Sequence, residues 1–382
     1  MDFDLTTEQQ SIFDTARAFA IEKLAPKAVE WDQTKHFPAD VIRELADLGM
    51  CGMFVREEHG GAGLSRLDGT LVYEGLSYGC PTIAAFVSIH NMCAWMIDSF
   101  GSDEQRARWL PELVNARCFA SYCLTEPGSG SDAAALTTRA EKAGEDLVLT
   151  GSKSFISGGG VSDLYIVMAR TGEAGPRGIS AILVEKGAKG LSFGAQEKKM
   201  GWNAQPTAMV LLDQCRVPVA SLLGEFGRGF SYAMQALDGG RLNIAACSLG
   251  AAQAALDKTI AYMHERKAFG KSLDQFQALQ FRVADMEIAL QSARVLLRQA
   301  AAKLDAKSPD ATRFCAMAKS FVTDAGFAVA NDALQLHGGY GYLADYGIEK
   351  IVRDLRVHQI LEGTNEIMRH VIARDLLTER PP

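Results

Sequence analysis

The acidic segment near the C-terminus carries the clearest chemistry in the sequence. Ile360, Leu361 and Gly363 surround Glu362 with apolar or small neighbours. Apolar surroundings disfavour a charged carboxylate and raise its pKa, which suits a general base. The competing interpretation is an acid in the first turn of a helix, where glutamate is common. The sequence therefore predicts a catalytic base at Glu362, with a helix-start acid as the alternative.

Two glycine-rich segments expose backbone that a ligand could contact. Residues 335–342 read QLHGGYGY, and their glycines are typical of a helix C-cap with uncovered backbone beyond it. Residues 128–133 match a variant of the dinucleotide fingerprint, which requires a preceding strand, a long following helix and a parallel sheet. Pro127 precedes the match and a turn follows at Gly144, so we reject that interpretation. The hydroxyls and small residues of 122–132 still let backbone amides approach an anion or a planar ring, with an ordinary loop as the alternative.

Other patterns of catalytic or metal-binding residues are missing. The seven histidines have no close metal-ligand spacing, and His264-Glu265 lacks the second histidine of a zinc-protease motif. The sequence contains neither a G-x-S-x-G nucleophile elbow nor a Walker loop. The eight cysteines show no C-x-x-C spacing, which is typical of reduced thiols in a cytoplasmic protein. We therefore predict no metal site and no nucleophilic serine.

Composition and charge limit the classes of function. The 382 residues are 48% hydrophobic and 22% charged, which is typical of a globular protein with a sizeable core in two or three folding units. The net charge of −7 disfavours indiscriminate binding to nucleic acid. No uninterrupted apolar run approaches the roughly 20 residues that span a bilayer. The start MDFDLTTEQQ resembles neither a secretory signal nor a transit peptide. We expect a cytoplasmic protein without nucleic-acid or membrane partners.

The elements that position these residues fall into three regions, and residues 1–118 form the first. Thr6 and Gln9 have the form of a capping box at a helix start. Further helices could begin at three prolines, Pro38, Pro81 and Pro111. This region is predicted to be an N-terminal α-helical domain.

The second and third regions differ in their hydrophobic periodicity. Short apolar runs separated by glycine-rich turns occupy residues 147–149, 164–168, 179–184 and 207–212. Such runs, without long helices between them, predict an antiparallel sheet or small barrel over residues 119–230. Residues 231–382 return to helical spacing, with Leu279, Met286 and Leu297 on one seam and Pro309 before the next helix. The predicted architecture is α, then β, then a bundle of long helices.

Five separated motifs together resemble those of the acyl-CoA dehydrogenases. They are YCLTEPGSGSD at 122–132, FIS at 155–157, RKAFG at 266–270, QLHGGYGY at 335–342 and LEGTNEIMR at 361–369. They occur in the family's order and spacing over nearly the whole chain. The resemblance implies an α+β fold with an N-terminal helical domain, a middle antiparallel β-barrel-like domain and a C-terminal domain of four-helix-bundle type. It also implies noncovalently bound FAD, a homotetramer and electron transfer to an electron-transferring flavoprotein.

The resemblance implies particular site residues as well. The flavin ring would contact Tyr122, Cys123, Leu124, Thr125, Glu126, Pro127, Gly128, Ser129, Gly130 and Ser131. The reactive edge of the flavin would lie beside Phe155, Ile156 and Ser157. The FAD pyrophosphate would meet Arg266 from a neighbouring subunit. Further FAD contacts would come from Phe276, Gln277, Gln335, Leu336, His337, Gly338, Gly339, Thr364, Asn365 and Glu366. The acyl-CoA would contact Ser131, Asp238, Gly239, Gly240, Arg241 and Gly363.

The same resemblance implies a mechanism and a class of substrate. Glu362 would remove the α-proton of a thioester while the β-hydrogen leaves as hydride to flavin N5. Some members of the family carry the base at the position of Gly240, and because glycine cannot be a base this difference favours Glu362. The resemblance favours a short branched-chain substrate, isobutyryl-CoA, oxidised to methacrylyl-CoA in valine catabolism. Straight-chain relatives commonly carry tyrosine where Leu361 stands. Alternative substrates are 2-methylbutyryl-CoA and short straight-chain thioesters.

Three related classes of protein remain as alternatives. An acyl-CoA oxidase passes electrons to oxygen, but such chains are usually much longer than 382 residues. A flavoprotein with a regulatory or nucleic-acid-binding role should carry a basic patch, and the C-terminal half has no dense run of lysine and arginine. An enzyme that deprotonates a nitroalkane uses aspartate at the base position. The dehydrogenase is favoured over all three.

Overall fold

The computed structural model describes residues 4–378 as two helical regions with a β region between them. The first helical region comprises α1 (Thr7–Phe19), α2 (Ala28–Thr34), α3 (Ala39–Asp47), α4 (Arg66–Gly79), α5 (Pro81–Phe100) and α6 (Asp103–Val114). The β region comprises β1 (Ala120–Cys123), β2 (Arg139–Ala143), β3 (Asp146–Ser157), β4 (Leu164–Arg170), β5 (Ile179–Glu185), β6 (Leu191–Phe193), β7 (Thr207–Pro218) and β8 (Leu222–Leu223). The last region comprises α7 (Gly229–Glu265), the hairpin β9 (Lys267–Ala268) and β10 (Lys271–Ser272), α8 (Gln277–Asp305), α9 (Ala311–His337), α10 (Ile348–Arg356) and α11 (Asn365–Thr378). The predicted order of α, β and α regions is confirmed.

The helix starts in the first region follow the local capping chemistry, with one exception. The capping box of Thr6 and Gln9 is present, Pro38 is the N-cap of α3, and Pro81 is the first residue of α5. The predicted start at Pro111 is wrong, because this proline lies inside α6. A second capping box, formed by Ser102 and Gln105, satisfies backbone donors earlier in the chain and so begins that helix at Asp103.

Helix α5 is the most apolar long helix of the fold. Among the residues described, it alone is long and apolar enough to cross a membrane, judged by length and composition. However, 78% of its most apolar window is buried inside the protein. Polar residues such as His90, Asn91 and Asp98 interrupt it, and their side chains bond to α6, to the chain after α3 and to the loop before α4. It therefore packs as a core helix.

The β region is a single twisted sheet with strand order β6-β7-β3-β2-β4-β5-β8, and β1 pairs with β4. Most neighbours are antiparallel, as predicted, but β1 runs parallel to β4 and one residue pair joins β2 to β4 in parallel. The β2–β3 hairpin separates β1 from β4 along the chain, so this connection can return the chain in the same direction. Strand β3 has an irregularity between Lys153 and Ile156, which turns the chain at Phe155.

The long helices of the last region share a hydrophobic core with the first region. Helix α7 packs against α4, α5, α8 and α9, and buried residues from all these helices form one cluster. The predicted seam on α8 is confirmed by the burial of Met286, Leu290 and Leu297. This shared core holds α7 between the β region and the loop that precedes α11. The candidate site lies at that junction.

Candidate active site

Glu362 lies in the loop between α10 and α11, outside any helix. Its φ is +58° and that of Gly363 is +89°, so two consecutive residues are left-handed. Thr364 then accepts a hydrogen bond from the Ile367 backbone nitrogen (3.3 Å) and caps α11. The exposed acid in the first turn of α11 is Glu366. The helix-start interpretation of Glu362 is therefore wrong, and it applies to Glu366 instead.

The Glu362 side chain is half-buried, and one oxygen of its carboxylate, Oε2, is buried. Its Oε2 atom has no hydrogen-bond partner in residues 4–378. Burial raises the pKa of Glu362 to about 7, although the positive charges of Arg241 and Lys319 oppose the shift. A carboxylate with a pKa near 7 is ionised often enough, and is basic enough, to accept a proton at neutral pH.

Helix α7 brings the predicted substrate segment to this carboxylate. Arg241 Nε donates to the backbone oxygen of Glu362 (3.4 Å), and its Nη1 donates to Asp238 Oδ1 (2.6 Å). A Cβ atom at Gly240 would lie 2.9 Å from Glu362 Cδ, closer than ordinary van der Waals contact. The absence of a side chain at Gly240 therefore makes the space that the carboxylate occupies.

Strand β1 brings the start of the predicted flavin segment to the same place. The Tyr122 hydroxyl is buried and, within the described part of the chain, unpartnered. Burial and the negative charge of Glu362 raise the pKa of Tyr122 well above its usual value. Beyond β1 a tight turn pairs Glu126 with Ser129, and a Cβ atom at Gly128 or Gly130 would meet nothing within 4 Å. The backbone of this turn is open to a ligand, and Ser131 beside it is exposed.

The second predicted flavin motif lies beside the first. The Ser154 backbone nitrogen donates to Thr125 O (2.8 Å), which joins β3 to the segment after β1. Phe155 is 69% exposed and left-handed, with a φ of +59°. The Ser157 hydroxyl accepts a hydrogen bond from Gln205 Nε2 (2.6 Å), whereas Gln205 Oε1 is buried with no partner among residues 4–378. An exposed aromatic ring, a strained backbone and an orphaned buried acceptor together are typical of a ligand site.

A second group of predicted residues lies elsewhere, around a cleft of about 650 Å³. Arg266 ends α7 there, and its guanidinium lies 5.3 Å from the Tyr340 ring centroid. The other predicted residues that line the cleft are Gln335, Leu336, His337, Gly338 and Gly339. Phe276 and Gln277 start α8 between two further lining residues, Leu273 and Leu279. The lining includes none of the residues around Glu362, so the predicted site forms two groups.

Some predicted site residues have side chains that are occupied inside the protein. Glu126 Oε1 pairs with the fully buried Lys153 (2.8 Å), and its Oε2 accepts from the Thr137 backbone nitrogen. Asn365 is buried and bonds to Thr323 and Asp324. The side chains of four more are packed in the core: Cys123, Leu124, Ile156 and Leu336. Any ligand contact from these residues would come through the backbone.

Three models of acyl-CoA dehydrogenase domains match almost the whole chain. The N-terminal domain matches residues 6–117, the middle domain 121–215 and the C-terminal domain 227–377. The chain belongs to the acyl-CoA dehydrogenase family. The enzyme is therefore an oxidoreductase that dehydrogenates acyl-CoA thioesters.

Individual relatives are similar to this dehydrogenase over nearly their full length. The mitochondrial isobutyryl-CoA dehydrogenase of Bos taurus is 54% identical over 375 residues, which cover 98% of this chain and 90% of the relative. The solved butyryl-CoA dehydrogenase of Megasphaera elsdenii is 38% identical, with a TM-score of 0.95 and coverage of 99% and 100%. A chain from the structural study of the electron transferring flavoprotein of Acidaminococcus fermentans is 41% identical, with a TM-score of 0.96 and the same coverage.

FAD is the cofactor of this dehydrogenase, and the residues present fit it. The orphaned Gln205 Oε1, the exposed Phe155 ring and the open backbone at Gly128 offer polar and planar contacts for a flavin. Arg266 in the cleft offers a guanidinium, which forms charge-assisted hydrogen bonds with a diphosphate. The two groups of predicted residues thus suit the two ends of the cofactor.

Sequence reasoning missed two residues of the site. Gln205 lies in the loop between β6 and β7, and it belongs to no motif or periodic pattern that would mark it as a ligand contact. Lys319 lies on α9 among apolar residues, and it bonds to the loop that carries Glu362. No pattern marked Lys319, because at about 3.6 residues per turn it lies on the face of α9 opposite Phe314, Met317 and Phe321.

Proposed function

We propose that this dehydrogenase oxidises isobutyryl-CoA to methacrylyl-CoA, with Glu362 taking the α-proton. The observation that carries the proposal is the raised pKa of Glu362, about 7, together with its buried Oε2 atom, which has no partner among residues 4–378. It faces the Tyr122 hydroxyl and lies over Gly240, whose missing side chain makes the space that the carboxylate occupies.

Each residue around Glu362 has a distinct part in the proposed reaction. Arg241 holds the Glu362 backbone from α7, and its charge keeps a useful fraction of the carboxylate ionised at neutral pH. Partial burial of the carboxylate, with Oε2 fully covered, disfavours its charged form and so makes it more basic. FAD supplies the acceptor for the β-hydrogen, which leaves as hydride when the α-proton moves to Glu362. The proton then stays on Glu362 until the unsaturated thioester has left.

The preference for isobutyryl-CoA is supported by similarity to relatives of that name. The Bos taurus relative named isobutyryl-CoA dehydrogenase is 54% identical to the chain over 375 aligned residues. Leu361, beside the base, stands where straight-chain relatives commonly carry tyrosine. One methylene in an apolar pocket changes selectivity by only about 10–200-fold, so activity on 2-methylbutyryl-CoA and butyryl-CoA is expected at lower efficiency.

The substrate is tested by anaerobic titration of the purified yellow protein with a panel of acyl-CoA thioesters. Bleaching of the flavin band and the highest kcat/KM are expected with isobutyryl-CoA. A clearly higher kcat/KM with butyryl-CoA or isovaleryl-CoA would overturn the substrate and leave dehydrogenation intact. A colourless protein that also fails to take up FAD would contradict the cofactor site.

We further propose a homotetramer in which a neighbouring copy completes each FAD site and an electron-transferring flavoprotein accepts the electrons. The division of the predicted FAD residues into two groups supports the shared site. Helix α8 carries exposed Phe281, Ile288 and Val295 at seven-residue spacing, which suits packing against another helix. The similarity to a chain from work on an electron transferring flavoprotein supports the acceptor.

The shared site is tested with Ile288→Lys on the exposed face of α8. Dissociation and loss of FAD are expected together, measured by light scattering and by the absorbance of the flavin. If the subunits separate and each retains its FAD, the cleft residues do not serve a neighbouring copy.

The base is tested with Glu362→Gln, which keeps the size of the side chain but removes the basic electron pair. Turnover should fall by about 10²–10⁴-fold while FAD content and the melting temperature are retained. Glu362→Asp is the matched variant, because it keeps a carboxylate on a shorter stem and should retain more turnover. Near-normal turnover in Glu362→Gln would assign the proton transfer to another residue.

A further inference from the structure

A buried lysine on α9 contacts the loop that carries Glu362. Lys319 lies on α9 and has no exposed surface. Its Nζ donates to Gly363 O (2.7 Å) and to Asn365 Oδ1 (2.8 Å). The lysine therefore bonds to the loop on the C-terminal side of Glu362, and Asn365 is the first residue of α11.

We propose that Lys319 is the positioning residue that fixes the catalytic carboxylate, an inference that rests on the proposed role of Glu362 as the base. Its ammonium ties the end of the loop to the first residue of α11. It thereby holds Glu362 in the one backbone conformation that places its carboxylate over Gly240.

The backbone of the loop requires such a restraint. Glu362 and Gly363 are both left-handed, and a non-glycine residue adopts this conformation only when its surroundings impose it. Two carbonyl groups of the loop are held, that of Glu362 by Arg241 from α7 (3.4 Å) and that of Gly363 by Lys319 (2.7 Å). Both donors are cations, so both bonds are charge-assisted, and the bond from Lys319 is the stronger restraint because it is the shorter.

The same ammonium also acts on the protonation of Glu362. The groups that affect this carboxylate are Arg241 on α7 and Lys319 on α9, which lower its pKa, while its own charge raises the pKa of Tyr122 on β1 and Cys247 on α7. A nearby cation favours the charged carboxylate, so removal of the lysine charge should raise the pKa of Glu362 further.

Lys319 itself remains largely charged at neutral pH. Burial lowers its pKa to about 8, while the carboxylates of Glu362, Asp324 and Glu366 oppose that shift and Arg241 adds to it. His358 also faces Lys319, and burial together with this ammonium lowers the pKa of the imidazole to about 3. Because His358 stays neutral throughout the working range, the lysine and Arg241 are the cations that set the ionisation of the base.

The test compares Lys319→Met and Lys319→Gln with a buried lysine elsewhere. Lys319→Met removes both the bonds and the charge, whereas Lys319→Gln keeps a donor without the charge. Lys350→Met is the matched control, because Lys350 is also buried but bonds to Asp354 on α10 rather than to the loop. The measurements are kcat and KM for isobutyryl-CoA, the pH profile of kcat/KM and FAD content.

On the acid side of the pH profile kcat/KM falls as the base is protonated, and this acid limb should shift to higher pH by about one unit or more in both Lys319 variants. The plateau kcat should fall at least about tenfold in Lys319→Met, with KM changed less, and the fall should be smaller in Lys319→Gln. Lys350→Met should lower the melting temperature without moving the limb. A merely structural lysine would behave like Lys350.

The inference is overturned if Lys319→Gln, or Lys319→Met, keeps the parent's acid limb and plateau. If only Lys319→Met fails to fold, the acid limb and plateau kcat of Lys319→Gln still test the inference. Failure of the proposed base would be seen separately, as near-normal turnover in Glu362→Gln. Loss of turnover in Glu362→Gln together with unchanged Lys319 variants would overturn the positioning role alone.

Discussion

Replacing Gly240 by alanine adds one methyl group where the carboxylate of Glu362, the proposed base, lies. The new Cβ would stand 2.9 Å from Glu362 Cδ, whereas ordinary van der Waals contact begins at 3.4 Å. Because Glu362 Oε2 lies closer still than Cδ, the carboxylate must retreat by more than 3.4 − 2.9 = 0.5 Å. A misplacement of about 1 Å at a reacting group can reduce a rate by about 10²-fold. We expect kcat to fall roughly 10–100-fold in Gly240→Ala.

This loss of rate should occur without a loss of stability. Gly240 lies inside α7, where alanine in place of glycine favours the helix by about 0.5–1 kcal/mol. The atoms that must move belong to a side chain rather than to packed backbone. The melting temperature should therefore be unchanged or slightly raised, which separates displacement of the base from a folding defect.

Gly239→Ala provides the matched control in the same turn of the same helix. Its Cβ would also approach a side chain at 2.9 Å, but that atom is Arg66 Cζ, which lies over the rings of Phe54 and Trp95. Stopped-flow reduction of the flavin by isobutyryl-CoA should be slowed far more by Gly240→Ala than by Gly239→Ala. Equal rates in the parent and Gly240→Ala would refute the idea that the carboxylate reacts from its position over this glycine.

Three further outcomes are expected. Arg266→Ala should lose more FAD than Arg266→Lys, because lysine keeps the charge without the planar fork; equal flavin content in both variants and the parent would make Arg266 a helix-end cation only. The parent kcat/KM should fall as the pH drops through about 7, since the base must be ionised and the pKa of Glu362 is about 7; a limb near pH 4 would contradict a buried base. Burial alone would raise the pKa of Glu126, but Lys153 and Thr138 lower it to about 2. Lys153→Met leaves this carboxylate buried without its cation, so the free energy of unfolding, measured in urea at pH 7, should fall by about 3–5 kcal/mol. In the parent protein, the stability that the Glu126–Lys153 pair contributes should be lost as the pH falls from 4.5 towards 2, because Glu126 becomes protonated.

The features that the sequence predicted correctly are local ones. The capping box at Thr6, the seam on α8 and the helix break near Pro309 each depend on residues close together in the chain. Local spacing and residue type were therefore sufficient to predict them. The helix start predicted at Pro111 was wrong because the capping box of Ser102 and Gln105 begins the same helix earlier in the chain. The identity of Glu362 as the candidate base came from its apolar neighbours and from family resemblance.

The features that the sequence did not predict depend on residues distant in the chain. The left-handed backbone of Glu362 is held by Arg241 and Lys319, which are 121 and 43 residues away, from α7 and α9. The parallel pairing of β1 with β4 joins strands that a hairpin separates, and no local pattern reports it. The buried pair of Glu126 and Lys153 likewise joins the turn after β1 to β3, and it holds the side chain of a predicted flavin contact inside the protein.

The core shared by the two helical regions has a consequence for biosynthesis. Helix α5 ends at Phe100, and α7, which covers part of its apolar surface, begins only at Gly229, 229 − 100 = 129 residues later. At a translation rate of about 5–20 residues per second, that surface waits roughly 6–26 seconds for its partner. During this interval the nascent chain exposes its most apolar helix, the one that also satisfies the length and composition of a membrane span. Ribosome-associated chaperones that hold hydrophobic segments should therefore bind this chain between the synthesis of α5 and that of α7, and slower translation should lengthen their residence.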